Sequence, residues 1–222
     1  EDYIKLFDKI YAEADYITIN LSSPNTQGLR DIQKIESLNI LTRELKAIKE
    51  NKSDKKNIFL KIDPDSTEQD YDNIINIVYK NNIDGLIISN TSVEKPDSLL
   101  NRFSTEKGGL SGAPLRVKSN EVLKNIAIKT KGQITLIGVG GIFTGRDVYQ
   151  KIKYGASAVQ LYTALTFEGA KLVEVGMKTA FNNIKPGVKQ SYVAGKIQNS
   201  LIAGNDEINI GGEYAGLTTI LA

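Results

Sequence analysis

Five short apolar segments, each followed by a stretch with helical spacing, constrain this chain more than any other feature. Segments 15–20, 57–62, 84–90, 133–138 and 156–161 read as strands. After the first, Ile32, Ile35, Leu38, Leu41, Leu45 and Ile48 recur at three- and four-residue spacing and mark one helix face. Tyr71, Ile74, Ile75 and Val78 repeat the pattern after the second, where Ser66-Thr67-Glu68-Gln69 has the form of a capping box. Segments 120–130, 146–153 and 171–181 supply further helices, and residues 3–12, with Ile4, Phe7, Ile10 and Tyr11, form one ahead of the first strand. Strands that are apolar almost throughout, alternating with helices, predict an α/β fold with a parallel sheet covered on both faces.

Two architectures satisfy that pattern, a (β/α)8 barrel and an open doubly wound sheet. Polar residues and glycines gather where the strands end: Asn20, Lys61, Ser89 and Asn90, Gly140 and Gly141, Tyr162 and Thr163. Both architectures place their chemistry at that rim, and the pattern favours the barrel. The stretch 92–117, with Pro96, Gly108, Gly109, Gly112 and Pro114, exceeds an ordinary connection and reads as an active-site loop. Beyond 182, glycines punctuate short apolar pieces. The expected division is therefore a barrel domain over 1–181 and an atypical extension, loose or a small edge hairpin, over 182–222.

Composition narrows the chemistry. The 222 residues include no Cys and no His, which removes disulfides, thiol catalysis, Ser-His-Asp chemistry and the usual metal ligands. No metal site is expected, and catalysis must run on carboxylates, Lys, Tyr, Ser or Thr, or on a cofactor. The 28 basic and 26 acidic side chains are interspersed, so nucleic acid is not an expected partner. No run of ~20 apolar residues is present, so no membrane span is expected. The sequence opens at Glu1 within a helical pattern, as a piece of a longer protein would.

Three groups of residues suggest function. Ser22-Ser23-Pro24-Asn25-Thr26 follows the first strand. These residue types make turns, yet the amides of Asn20 and Asn25 also suit a planar heterocycle. Ser23 suits proton transfer, as a weak base that needs a water or a threonine beside it. Lys61 interrupts an apolar strand, where an ammonium requires a partner. A negatively charged cofactor, snorkelling to the rim, and pairing with Asp63 or Asp65 are the alternatives. Gly138-Val139-Gly140-Gly141, with Thr144 and Gly145 ahead of a helix, suits a phosphate group, although its spacing matches neither the dinucleotide fingerprint nor a P-loop. Tyr162 and Thr163, one unit later, point to the same place.

Taken together, the segments from Asn20 to Arg30, Lys61-Ile-Asp-Pro-Asp65, Asp84 to Thr91, Gly108 to Gly112, Gly138 to Ile142 and Gln160 to Leu165 resemble dihydroorotate dehydrogenase, in its quinone-linked, membrane-associated class. They follow that family's order over about residues 1 to 180. The resemblance implies an FMN-dependent (β/α)8 barrel that oxidises dihydroorotate to orotate in pyrimidine synthesis. Ser23 would be the base that removes the ring proton, standing where the soluble class has Cys. Asn20, Asn25, Asn90 and Thr91 would hold the substrate, and Asn20 would also face the flavin. Lys61, Ser89, Gly112, Gly141, Tyr162 and Thr163 would bind FMN, the last three around its phosphate. Hydride would pass to the flavin, and quinone would reoxidise it.

The family's N-terminal region carries a membrane-docking helical pair, the first barrel strands, a glycine-rich flavin segment, and a substrate Lys and Asn. None of these is in the sequence, so the five strands would be the fourth to eighth. Membrane contact would belong to that region, on the cytoplasmic side of a bacterial inner membrane or on the mitochondrial inner membrane, with this chain soluble by itself. Asp63 stands where the family usually has a small residue. Three other readings stay open: a different FMN-dependent barrel oxidoreductase, a sugar-phosphate isomerase barrel, and a truncated, non-catalytic phosphate- or flavin-binding fragment.

Overall fold

In a computed structural model, which describes residues 2–97, 99 and 105–169, the chain forms five parallel strands with helices between them. Helix α1 (Asp2–Ile10) continues as a 3-10 turn over Tyr11–Glu13 and leads into β1 (Tyr16–Asn20). Next come α2 (Ile35–Glu50), β2 (Asn57–Ile62), α3 (Glu68–Lys80) and β3 (Gly85–Ile88). The series closes with α4 (Arg116–Thr130), β4 (Thr135–Val139), α5 (Gly145–Lys153), β5 (Ala158–Gln160) and α6 (Thr163–Glu168). The expected helix 171–181 and the extension 182–222 lie outside the described residues.

The strands lie in the order β1-β2-β3-β4-β5, every neighbouring pair parallel. A doubly wound sheet reverses its strand order at a switch point. No reversal occurs among the described strands, so the described sheet has the sequential order of a barrel wall.

Period-two alternation gives each strand two faces. Ile17, Ile19, Ile58, Leu60, Ile62, Leu86, Ile88 and Leu136 point toward the helices, where they share a core with Leu38 and Leu45 of α2, Tyr71, Ile74 and Val78 of α3, and Leu123 and Ile126 of α4. The opposite face carries a smaller cluster of Phe59, Ile87, Ile137 and Ala158, flanked by Tyr16 and Val139. Lys61 follows Phe59 on this second face, and Asn20 follows Tyr16 and Thr18. The second face is thus apolar at its base and polar toward the strand ends.

Two expectations need correction. The capping box of α3 is built one residue later than expected: Thr67 Oγ1 accepts the Asp70 N–H, and the Asp70 carboxylate accepts the Thr67 N–H. Ser66 is unavailable because its hydroxyl donates to Asp63. Helix α4 begins four residues earlier than expected, because a 3-10 turn over Ala113–Leu115, with Pro114 in its first turn, runs directly into it.

Candidate functional site

The strand ends bring their polar residues together by register. Asn20 pairs with Lys61 across β1 and β2, and the next strand ends at Ile88, just before Ser89 and Asn90. Asn90 is the junction. Its Nδ2 donates to Asn20 Oδ1 at 3.1 Å and to Ser22 Oγ at 3.0 Å, while its Oδ1 accepts the Thr91 N–H at 2.8 Å. Ser22, fully buried, donates in turn to Asn20 Oδ1 at 3.3 Å. Two side-chain donors converge on Asn20 Oδ1, and among the described residues no group accepts from Asn20 Nδ2, which suits a ligand with an acceptor there.

Ser23 stands beside this network. Its Oγ accepts the Asn25 N–H at 3.3 Å. The loop after residue 105 is laid against the same place: Ser92 and Leu110 exchange backbone hydrogen bonds, and Gly109 packs on Thr91 and Pro24. A Cβ at 109 would stand 1.9 Å from Thr91 Oγ1, so this approach requires glycine.

A cavity opens next to Asn90. Lys61, Ser89, Asn90 and Thr91 line one side, and Gly112, Gly141, Tyr162 and Thr163 the other, with Phe143 and Leu161 supplying apolar wall. Eight of the expected site residues therefore share one cavity. Asn20, Ser23 and Asn25 lie outside its wall, and Asn20 joins it through Asn90. Tyr162 is expected at this site, and its ring is largely exposed, 81%. Thr163 Oγ1 donates to Ser111 Oγ at 3.1 Å, which closes the loop against the start of α6.

Lys61 is half-buried, and burial holds its ammonium below the ordinary lysine range. Neither Asp63 nor Asp65 pairs with it. Asp63 accepts from Gln33, Ser66 and the Asp65 N–H, and Asp65 binds Arg30 at 3.0 Å and Lys118 at 2.7 Å. Among the described residues no hydrogen bond or ion pair reaches the Lys61 ammonium. An unpaired cation on the sheet's second face suits an anionic or acceptor-rich ligand.

Arg30 and Asp65 were not evident from sequence as site residues. Arg30 donates to Ser22 O (3.3 Å), Asp65 Oδ2 (3.0 Å) and Thr91 O (3.0 Å), tying the loops that follow β1, β2 and β3. Burial alone would raise the Asp65 pKa. Hydrogen bonds from Lys118, Ser92, the Val93 N–H and Arg30 outweigh it and hold the carboxyl below its ordinary range.

At the far side of the cavity, Gly141 has φ +72°, and a Cβ there would lie 2.4 Å from Arg116 Cα. Only glycine fits both restrictions. The N–H groups of Gly140, Gly141 and Ile142 have no hydrogen-bond partner among the described residues. Unpaired amides at one end, Lys61 and oriented side-chain amides at the other, and an apolar wall between them suit a planar ring tethered by a phosphate.

The model of the family described as dihydroorotate dehydrogenase matches residues 1–179. The chain belongs to the dihydroorotate dehydrogenase family. It is 44% identical over 174 residues to the mitochondrial dihydroorotate dehydrogenase (quinone) of Mus musculus, covering 78% of this chain and 44% of that protein. It is 40% identical over 177 residues to the dihydroorotate dehydrogenase (quinone) of Saccharophagus degradans, covering 78% and 52%. A crystal structure of DHODH in complex with ferulenol from Eimeria tenella superposes with a TM-score of 0.74 at 30% identity, over 94% of this chain and 55% of that one. The chain thus spans about half the length of the dihydroorotate dehydrogenases it matches. No described helix is long and apolar enough to cross a membrane.

Proposed function

We propose that this chain carries the catalytic rim of an FMN-dependent (β/α)8 barrel that oxidises dihydroorotate to orotate and passes the electrons to a quinone. The observation that carries the reading is the position of Asn90, which lines the cavity beside Lys61 and also orients Asn20 and Ser22. One residue thereby joins a cofactor-shaped cavity to a set of amides suited to a pyrimidine ring. The membership of the dihydroorotate dehydrogenase family supports the same substrate.

In this reading Lys61, Ser89 and Gly112 hold the flavin, with Gly141, Tyr162 and Thr163 around its phosphate. Bound FMN supplies the two-electron acceptor that no side chain here offers. Asn20, Asn25, Asn90 and Thr91 hold the substrate, and Asn20, with its Oδ1 already engaged, turns its donors outward. Ser23 takes the ring proton as its own hydroxyl proton passes to a water, and the Asn25 N–H that reaches its oxygen favours the negative charge that this loss places there. Arg30 fixes the backbone on either side of this chemistry.

The test is the visible flavin absorbance of the purified protein under anaerobic conditions. Bleaching on addition of dihydroorotate supports the reading. A flavin signal that dihydroorotate leaves unchanged contradicts the assigned substrate, and failure to take up FMN contradicts the assigned cofactor.

A further inference from the structure

Behind the Gly140–Gly141 loop lies a set of polar groups that the proposed chemistry does not use. Lys151 of α5 is 1% exposed, on the buried face of the helix that it shares with Asp147 and Val148. Its Nζ donates to Val139 O at 3.1 Å and to Ser119 Oγ at 2.7 Å. Ser119 of α4 reaches Gly140 O at 3.0 Å and Arg116 O at 3.2 Å. Arg116 Nε donates to Gly141 O at 2.7 Å and pairs with Asp147 at 3.0 Å. Three successive carbonyls, at 139, 140 and 141, are therefore each held from the α4 and α5 side.

The peptide unit is planar and trans, so each N–H points opposite to the carbonyl before it. Pulling the carbonyls of Val139, Gly140 and Gly141 toward α4 and α5 turns the N–H groups of Gly140, Gly141 and Ile142 the other way. That is the side of the cavity these residues line. Successive N–H groups presented in this way make an anion-binding nest.

We propose that Lys151, Ser119 and Arg116 act as positioning residues that hold this nest open from behind, and that Lys151 supplies a positive charge to a phosphate group it does not touch. The identity of that phosphate as the flavin's rests on the proposed function. The burial of Lys151 argues for such a use, because an apolar side chain of similar length would fill the same space without the cost of a buried ammonium. The charged groups facing Lys151 are Asp147 on its own helix and Arg116 on α4. Burial pulls its pKa down to about 7, Arg116 in the same direction and Asp147 against it. A phosphate bound across the loop favours the protonated form, so phosphate binding takes up a proton above pH 7 and weakens as pH rises.

Lys151→Met tests this. In that variant Ser119 keeps Gly140 O, and Val139 O keeps the Ser89 N–H at 3.2 Å, so neither loses its last partner. Affinities for FMN and riboflavin are measured by fluorescence quenching, since only FMN carries the phosphate. The expected result is an FMN affinity about tenfold weaker with riboflavin unchanged. The FMN-to-riboflavin preference should fall between pH 7 and 9 in the native chain and stay flat in the variant. Ser119→Ala should weaken FMN selectively as well, by a smaller factor. A Lys151→Met protein that keeps the native preference and its pH profile overturns the inference and leaves the proposed function standing. If the native chain takes up neither flavin, the proposed function fails instead. The inference is then decided by titrating inorganic phosphate against the amide resonances of Gly140 and Gly141: shifts that Lys151→Met weakens support it, and no shift overturns it.

Discussion

The Gln160 side-chain amide donates to the Tyr16 hydroxyl at 3.4 Å, joining the last described strand to the first. In a flat sheet at the usual strand spacing those two strands would lie about 19 Å apart. Their contact means that the sheet curls around its second face, and the cluster of Phe59, Ile87, Ile137 and Ala158 fills the hollow. Phe59 is the largest member, and the Tyr16 ring meets it edge-on at 5.7 Å. Phe59→Ala should therefore cost about 3 kcal/mol or more, read as a lowered denaturant midpoint, despite lying outside the main helix–sheet core.

Asp65 is expected to control acid stability. Its native pKa is depressed, so its contribution is fully present above the unfolded value of about 3.9 and is lost as pH falls through the native value. Asp65→Asn leaves Arg30 and Lys118 facing a neutral partner. It should cost on the order of 3 kcal/mol at neutral pH and flatten the fall in stability below about pH 4. Urea unfolding at a series of acidic pH values compares the two proteins.

Ser23→Ala removes the assigned base while leaving the cavity wall intact, because Ser23 does not line it. Reduction of bound flavin by dihydroorotate should slow by about 10²- to 10⁴-fold, with FMN retained. Stopped-flow absorbance under anaerobic conditions reads both quantities, and an unchanged rate would remove Ser23 from the mechanism.

Gly109→Ala places a methyl group into Thr91 and Pro24, at 1.9 Å from Thr91 Oγ1 and 2.8 Å from Pro24 Cγ. The loop must lift or Thr91 must turn, at about 1–3 kcal/mol. The expected result is a rise in KM for dihydroorotate that exceeds any change in FMN affinity, since Thr91 and Pro24 stand at the substrate end of the rim while Thr91 also lines the cavity. Steady-state kinetics beside a flavin titration separates the two.

Much of this was legible because it depends on near neighbours in sequence. Strand β2 falls where the apolar run places it, and the stripe from Ile32 to Ile48 matches α2 from Ile35 onward, while Ile32 lies in a 3-10 turn over Leu29–Gln33 ahead of the helix. Lys61 is legible because an ammonium interrupts an apolar run, and Asn90 because it closes one. Arg30, Asp65 and Lys118 are not, because their partners lie 35 and 53 residues away in the chain. Ser22 and Ser23 are equivalent as letters, and only the path of the chain after β1 buries the first and leaves the second accessible. Lys151 reads as one of two lysines on α5. The available signal was its place three residues after Val148, on the helix's buried face. Helix α6, at six residues, is too short to impose a period.

The central claim is that one ligand spans the rim, with its phosphate at Gly140 and Gly141 and its ring toward Lys61 and Asn90. A crystal structure of the chain with FMN and orotate tests this most directly. The account predicts the phosphate on the Gly140, Gly141 and Ile142 amides, the ring against Lys61, and orotate between that ring and Asn20, Asn25 and Asn90. FMN bound elsewhere, or orotate away from the Asn20–Asn90 pair, would contradict it.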